Sequence, residues 1–323
     1  TVGGRSQTRR YEGGYLHACE QVTAAGDRFT FTLDPLLNGA VTAREGAHEQ
    51  SARFRFDPLT AQIVEAASPV IQRRVEYAPS GRMESETWRA SDSSFSTATV
   101  RSLKGLPTRF TDVNNVTTTY AYDAAARPVR IQQGSVVATY TYGSQGQVLT
   151  LALEDTASQR SLKTTLTHDA FGREIRRVSE FGYGARLEVL QTFGADDKLQ
   201  QRSLTCGAAT RSETFAYDLR GRLMRYDCQG THAPTDAWGK RIAFQAFTYD
   251  YLDNLSTVLT GFDGGENLCT FSYDRPDKTQ MSALTHSHPD YLPRNVTFEY
   301  DANGNLLNDD QGRTFKYDAL SRL

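Results

Sequence analysis

The sequence predicts an all-β protein in which one continuous antiparallel sheet is built from repeated β-hairpins. Two observations lead to this prediction. Anchor positions, most often tyrosine, recur along the 323 residues at a mean spacing of about 24. The residues before an anchor alternate between apolar and polar, and a phrase rich in Asp and Gly follows it. Alternation with a period of two is typical of a half-buried strand, and an Asp–Gly phrase is typical of a turn.

The anchors define thirteen repeats. They are Leu33, Phe56, Tyr77, Arg101, Tyr122, Tyr142, His168, Phe193, Tyr217, Tyr249, Tyr273, Tyr300 and Tyr317. In most repeats a large apolar residue stands two positions before the anchor. The segment VTFEY at 296–300 shows the pattern, because Val296, Phe298 and Tyr300 share one face of an extended strand.

The residues after an anchor predict a tight turn, which we call a corner. In TFAYDLRGRL, the Asp218 side chain can accept hydrogen bonds from backbone N–H groups that follow it, and Gly221 can supply a positive φ. We expect the corner residues to serve the fold and to have no catalytic role. The predicted corner set is Tyr122, Asp123, Tyr217, Asp218, Gly221, Tyr300, Asp301, Gly304, Tyr317 and Asp318.

The repeat length favours one architecture over another. A period of about 24 residues fits two strands of about 8 residues with two short connections. Thirteen such hairpins give about 26 strands, and open sheets of more than about 10 strands curl, split or flatten. We therefore expect a spiralling sheet. A propeller is the competing architecture, but its blades need about 40–50 residues each.

Two segments interrupt the regular spacing. The longest interval contains CQGTHAPTDAWGKRI (228–242), whose Gly and Pro residues predict an extended loop, and residues 194–210 also look irregular. Residues 1–28 form an N-terminal flank or an atypical repeat, and residues 29–323 form the repeat region. No long helix is expected.

The composition limits the possible functions. The net charge of −2 gives no electrostatic reason for binding nucleic acid or an anionic membrane. No apolar run reaches 18 residues, so no membrane span is predicted. The first residues, TVGGRSQTRR, lack the apolar core of a signal peptide. The four cysteines have no zinc-binding or redox spacing, and they are too few for a disulfide scaffold.

Three patterns resemble chemical sites. His286, His288 and Asp290 in THSHPD could bind a transition metal, although loop histidines commonly have no such role. The stretch DANGNLLNDD (301–310) resembles a calcium loop, but its Gly304 is fourth, whereas an EF-hand loop needs Gly at position six. Asp218 and Asp250 could meet as neighbouring corners. A carboxylate that returns in most repeats favours a structural role, so we predict no enzyme, metal or cofactor.

The phrases YDLRGRL, YDANGNL, YDALSRL, HDAFGRE and GLPTRFTD resemble the YD repeats of the Rhs family. That family includes bacterial polymorphic toxins, the C subunits of insecticidal Tc toxins and the eukaryotic teneurins. The resemblance covers residue 29 to the end. Some repeats depart from it: Arg101 and Phe193 lack the preceding apolar residue, and Asp is missing after Tyr77, Arg101, Tyr142 and Phe193.

The resemblance implies a segment of a hollow β-shell that encloses a C-terminal toxic polypeptide. In such proteins a closing region and an aspartyl-protease-like self-cleavage site follow the repeats, and we expect Leu323 to precede both. The implied partners are the toxin cargo, the rest of the shell and a secretion or toxin-complex subunit. The implied setting is a secreted or delivered bacterial effector.

One alternative remains open. If one face of the sheet is exposed, its Tyr and Phe side chains could stack against sugars. The chain would then be an extracellular carbohydrate-binding or adhesion module built on the same repeat, and a glycan-binding assay would separate the two interpretations.

Overall fold

The computed structural model describes residues 7–11, 19–33, 39–45, 48–318 and 321–323. The regular structure of these residues is entirely β, with 25 strands and no helix. Each strand pairs antiparallel with its neighbours wherever a pairing register is defined. The predicted all-β class is therefore confirmed. The chain divides into two compact units, Thr1–Tyr120 with Glu299–Leu323, and Ala121–Phe298.

In the first unit, consecutive strands pair antiparallel from β1 to β11. The strands are β1 (Thr8–Arg10), β2 (Glu20–Val22), β3 (Arg28–Leu33), β4 (Gly39–Glu45), β5 (His48–Phe56), β6 (Ile63–Ala67), β7 (Gln72–Tyr77), β8 (Met83–Ala90), β9 (Ser93–Arg101), β10 (Pro107–Thr111) and β11 (Thr117–Tyr122). The later segment of this unit has two isolated bridges, Tyr300 with Leu306 and Asn308 with Thr314.

In the second unit, consecutive strands pair antiparallel from β12 to β25. The strands are β12 (Pro128–Gln133), β13 (Val136–Tyr142), β14 (Val148–Asp155), β15 (Arg160–His168), β16 (Glu174–Phe181), β17 (Arg186–Phe193), β18 (Leu199–Cys206), β19 (Ala209–Tyr217), β20 (Leu223–Gln229), β21 (Ile242–Tyr249), β22 (Leu255–Phe262), β23 (Gly265–Ser272), β24 (Ala283–His286) and β25 (Asn295–Thr297).

The anchors mark where strands end. Ten of them, from Leu33 to Tyr249, are the last residue of their strand. The pairing register also shifts next to most of these anchors, as between Ala216 and Tyr217 and between Thr248 and Tyr249. Such a bulge bends the strand and increases its local twist. Each of these hairpins therefore bends next to its corner.

The core of the described chain is thin. Most strand residues are half-buried, and only thirteen hydrophobic residues among those described are buried. One cluster, in the second unit, contains Tyr226, Cys228 and Ile242, with Phe215 and Phe247 packed against it. Such limited burial fits the sequence, which is 38% hydrophobic.

The structure differs from two sequence-based expectations. Residues 194–210 are regular, since β18 and β19 form a hairpin that turns at Gly207, where φ is +57°. The predicted extended loop contains one more corner, at Asp236–Lys240, flanked by a bridge between Thr235 and Arg241. In the N-terminal flank, the described residues include β1 and β2. The boundary at residue 29 stays a prediction.

Candidate functional site

The corner at Asp218 shows how the repeated phrase folds. The Asp218 backbone N–H donates to the carbonyl of Arg222 at 2.9 Å, and the N–H of Gly221 donates to the carbonyl of Asp218 at 2.9 Å. The Asp218 Oδ1 accepts the backbone N–H groups of Arg220 and Arg222, each at 2.9 Å. Its Oδ2 accepts the Arg222 Nε at 2.7 Å. One carboxylate thus closes the whole turn.

The same arrangement recurs at the other predicted corners. Asp123, Asp301 and Asp318 each accept the backbone N–H of the residue four positions later, at 2.8–3.0 Å. Five more corners share this bond. They are headed by Asp112, Asp169, Asp236, Asp250 and Asp309. The corner is thus a repeated structural element.

Each corner needs a residue with positive φ at its fourth position. Gly221 and Gly304 have φ values of +83° and +92°. Ala126 takes the same place after Asp123 with a φ of +64°. An L-residue other than glycine is disfavoured at a positive φ. Ala126 nevertheless adopts it, which shows that the corner geometry is retained where the sequence lacks Gly.

The anchor tyrosines connect each corner to the strand beside it. The Tyr217 hydroxyl donates to the carbonyl of Leu199 at 3.0 Å, and Leu199 is the first residue of β18. Four other anchors make the same bond to the first residue of the neighbouring strand, over 2.6–3.1 Å. They are Tyr77, Tyr142, Tyr249 and Tyr273. The anchor therefore ties the two ends of one hairpin together at the corner edge.

The long residue that closes a corner reaches the next repeat. The Arg222 guanidinium lies 4.6 Å from the ring centre of Tyr249, and its Nη1 lies 2.6 Å from Asp253 Oδ1. Arg173 repeats this, 5.0 Å from the Phe193 ring and 2.6 Å from Asp197 Oδ1. Each side chain thus joins two corners that are neighbours on the same edge of the sheet in the second unit.

The Asp and Arg side chains of a corner form an ion pair. The backbone hydrogen bond from Arg222 is the largest cause that lowers the pKa of Asp218, and the same bond from Arg127 does so for Asp123. The hydrogen bond to Asp218 in turn raises the pKa of Arg222. Both carboxylates are therefore ionised and engaged in their own turns at neutral pH. This arrangement suits a structural link and leaves little capacity for acid–base chemistry.

These contacts show what the carboxylates do in two of the patterns that resemble chemical sites. Asp301 and Asp309 head two separate corners, so residues 301–310 cover one corner and the start of the next. Arg222 connects Asp218 to Asp253, the fourth residue of the corner headed by Asp250. The carboxylate of Asp250 accepts hydrogen bonds from the backbone N–H groups of Leu252 and Asn254 and from the side-chain amide of Asn254, all within its own corner. In both cases the side chains serve turns.

One cluster of the second unit does not repeat, and we call Trp238, Phe262, His286, His288 and Tyr291 the aromatic cluster. Its ring contacts, which include Trp238 with Tyr291 at 4.5 Å, fall between 4.5 and 5.8 Å. Tyr291 is 2% exposed, and its hydroxyl donates to the carboxylate of Asp236. The cluster thus fastens the corner at Asp236 to the loop between β24 and β25.

The two histidines of this cluster have protein partners. His286 Nδ1 lies 3.0 Å from the side-chain amide of Asn267, and His288 Nδ1 accepts the backbone N–H of Asp290 at 3.2 Å. Asp290 pairs with Lys240 at 2.6 Å. Among the described residues, no group of three or more His, Cys, Asp or Glu side chains is arranged to hold a metal ion.

Within the described ranges, no helix has the length and apolar character needed to cross a bilayer.

No protein-family model and no curated protein matches the sequence. Solved structures do match. The chain is similar to TcdB2–TccC3 without its hypervariable C-terminal region, with a TM-score of 0.60 and 15% identity over 98% of this chain and 18% of that one. It is also similar to TcdB2–TccC3 (TM-score 0.59, 15% identity, 98% and 18% coverage). A third match is TcdB2–TccC3–Cdc42 (0.57, 14%, 94% and 17%).

The chain spans less than a fifth of the length of the chains that it matches. At this identity the likeness shows the fold alone. It is the fold of one part of these chains, and the predicted fold class is confirmed.

Proposed function

We propose that this chain is a wall segment of an Rhs/YD-repeat toxin shell that encloses a toxic polypeptide, and that this segment is not catalytic. The likeness to TcdB2–TccC3 over at least 94% of the chain supports the proposal. The observation that carries it is the series of corners. In the second unit, Arg173 and Arg222 each join their own corner to the next corner on the same edge of the sheet, through an anchor aromatic and an ion pair.

The wall would work by confinement. Antiparallel pairing satisfies the backbone groups within the sheet, so the layer is held together without a thick filled core. The corner bonds add a second set of links along one edge. A layer of this kind can separate an enclosed polypeptide from solvent and from proteases, while most of its own residues stay half-exposed.

The partners follow from the same proposal. They are the cargo polypeptide, the rest of the shell and a secretion or toxin-complex subunit, and the protein would be secreted or delivered by a bacterium. One matched structure is TcdB2–TccC3 without a hypervariable C-terminal region. A constant wall with a variable C-terminal region is the organisation that a shell with changing cargo would need.

The coding sequence after codon 323 tests the proposal. We expect further repeat phrases or a closing region, followed by a C-terminal domain unrelated to the repeats. A reading frame that stops without any further domain would contradict a role in enclosing cargo.

A further inference from the structure

A cleft of about 660 Å³ lies in the second unit, at the sheet edge opposite the corners that follow the anchors. Its floor is an apolar row that crosses three strands. Leu153 on β14 pairs with Leu162 on β15, and Leu162 pairs with Phe181 on β16. Directly paired residues share a face of the sheet, so the three half-buried side chains form one surface.

A second row, nearer the turns, is more polar. Asp155 on β14 pairs with Val136 on one side and with Arg160 on the other. Asp155 lies two residues beyond Leu153, so period two places it on the same face as the floor. Hydrogen bonds from the Ser158 hydroxyl, and then from Ser135, lower the pKa of Asp155 to about 2. The cleft thus has an ionised carboxylate beside a guanidinium.

One side of the cleft is formed by an exposed aromatic ring on a turn that backbone hydrogen bonds close. Tyr183 is 80% exposed, and its ring centre lies 5.5 Å from that of Phe181. The turn is closed by bonds from Gly184 N to the Phe181 carbonyl at 2.8 Å and from Phe181 N to the Ala185 carbonyl at 2.9 Å. The backbone N–H of Gly182 also donates to the Ser161 carbonyl at 2.8 Å. The backbone that carries Tyr183 is therefore fixed, and its exposed ring is accessible to a ligand.

We propose that this cleft binds a neutral oligosaccharide. One C–H face of a sugar ring would lie on Tyr183, and its hydroxyls would bond to Asp155, Gln159 and Arg160 along the rim. Sugar hydroxyls both donate and accept hydrogen bonds, so they match a rim that combines a carboxylate, an amide and a guanidinium. An apolar floor with a few convergent polar groups is typical of small-molecule sites.

Other ligand classes fit less well. An extended peptide that adds a strand needs an unpaired strand edge, but β14, β15 and β16 are each paired on both sides. An anionic ligand would meet the ionised carboxylate of Asp155 beside Arg160. The site gives the carbohydrate-binding alternative of the sequence analysis a location, and it does not depend on the wall function.

Saturation-transfer NMR of the 323-residue protein with maltohexaose, cellohexaose or chitohexaose tests the proposal. We expect transfer to at least one of them, and Tyr183→Ala should weaken its binding by about tenfold. Tyr251→Ala is the matched control, because Tyr251 is 81% exposed at the tip of the corner at Asp250. Both tyrosines are mainly exposed, so both variants should fold, and circular dichroism can verify this.

Two results would overturn the proposal. One is an absence of transfer to all three oligosaccharides. The other is an equal loss of binding in Tyr183→Ala and Tyr251→Ala, which would show that the sugar contacts exposed tyrosines without using the cleft.

Discussion

The Nη1 of Arg222 lies 2.6 Å from Oδ1 of Asp253, which belongs to the next corner on the same edge of the sheet. The Nε of the same guanidinium is bonded to Asp218, the first residue of its own corner. The residues Asp218 and Arg222 thus have two functions, since they close one turn and fasten it to its neighbour. This explains why a long cationic residue follows the glycine in the repeated phrase.

Replacement of Arg222 by Lys should lower the thermal midpoint, because an ammonium group cannot maintain the two separate carboxylate contacts and the stacking on Tyr249. Arg313→Lys is the matched control, since Arg313 bonds to its own Asp309 and its side chain is 65% exposed. Differential scanning calorimetry of both variants measures the difference. Equal midpoints would show that the link between corners contributes nothing.

Replacement of Gly221 by Val should destabilise the fold by about 2 kcal/mol, because a β-branched residue is strained at a φ of +83°. A substitution to glycine at the equivalent position of another corner is the control. Ala126→Gly should stabilise by about 0.5 kcal/mol, since it removes the strain of a φ of +64° at the equivalent position. Urea denaturation measures both changes. A neutral Gly221→Val would show that positive φ is not required.

The stability should depend on pH through the corner carboxylates. The pKa of Asp218 and of Asp123 is lowered in the folded state from the ordinary value of 3.8, chiefly by backbone hydrogen bonds. Below about pH 5 the unfolded chain therefore binds more protons than the folded one. The stabilisation is complete above the unfolded pKa and is lost as the pH falls through the folded pKa.

Urea midpoints measured between about pH 6 and pH 3 test this dependence. We expect them to fall as the pH falls, and we expect Asp218→Asn to reduce the slope because it removes one titrating group. A slope that is unchanged in Asp218→Asn would mean that this carboxylate titrates alike in the folded and unfolded states.

The aromatic cluster gives a further prediction. Tyr291→Phe should destabilise the protein by about 2 kcal/mol, because it removes the buried hydroxyl that donates to the carboxylate of Asp236. Tyr183→Phe removes a hydroxyl from a ring that is 80% exposed and should be nearly neutral. Chemical denaturation of the two variants measures the contrast. Equal effects would contradict a fastening role for Tyr291.

The repeated parts of the fold could be predicted from local sequence. Period-two alternation up to Tyr217, then Asp218, then Gly221 contains the strand, the turn acceptor and the positive-φ position within a few residues. These features act locally, so a single phrase is enough to predict the corner. The links from Arg222 to Tyr249 and Asp253 join residues of different repeats, so a single phrase does not predict them.

The non-repeating parts could not be predicted from the same signals. The contact between Trp238 and Tyr291 joins residues that are far apart in the chain, and no periodicity connects them. The corner at Asp236 is preceded by Pro234 and Thr235 and lacks an aromatic anchor, so its phrase DAWGK was hidden in an apparent loop. The hairpin at 199–217 is polar because half-exposed strands need few apolar residues.

Limited proteolysis of the whole polypeptide that contains this segment is the most direct test of the wall function. We expect the polypeptide that follows the repeats to resist cleavage while the wall is intact. It should be cut when it is expressed alone, or when urea opens the wall. Cleavage of that region at the same rate with and without the intact wall would contradict the proposal that the wall encloses it.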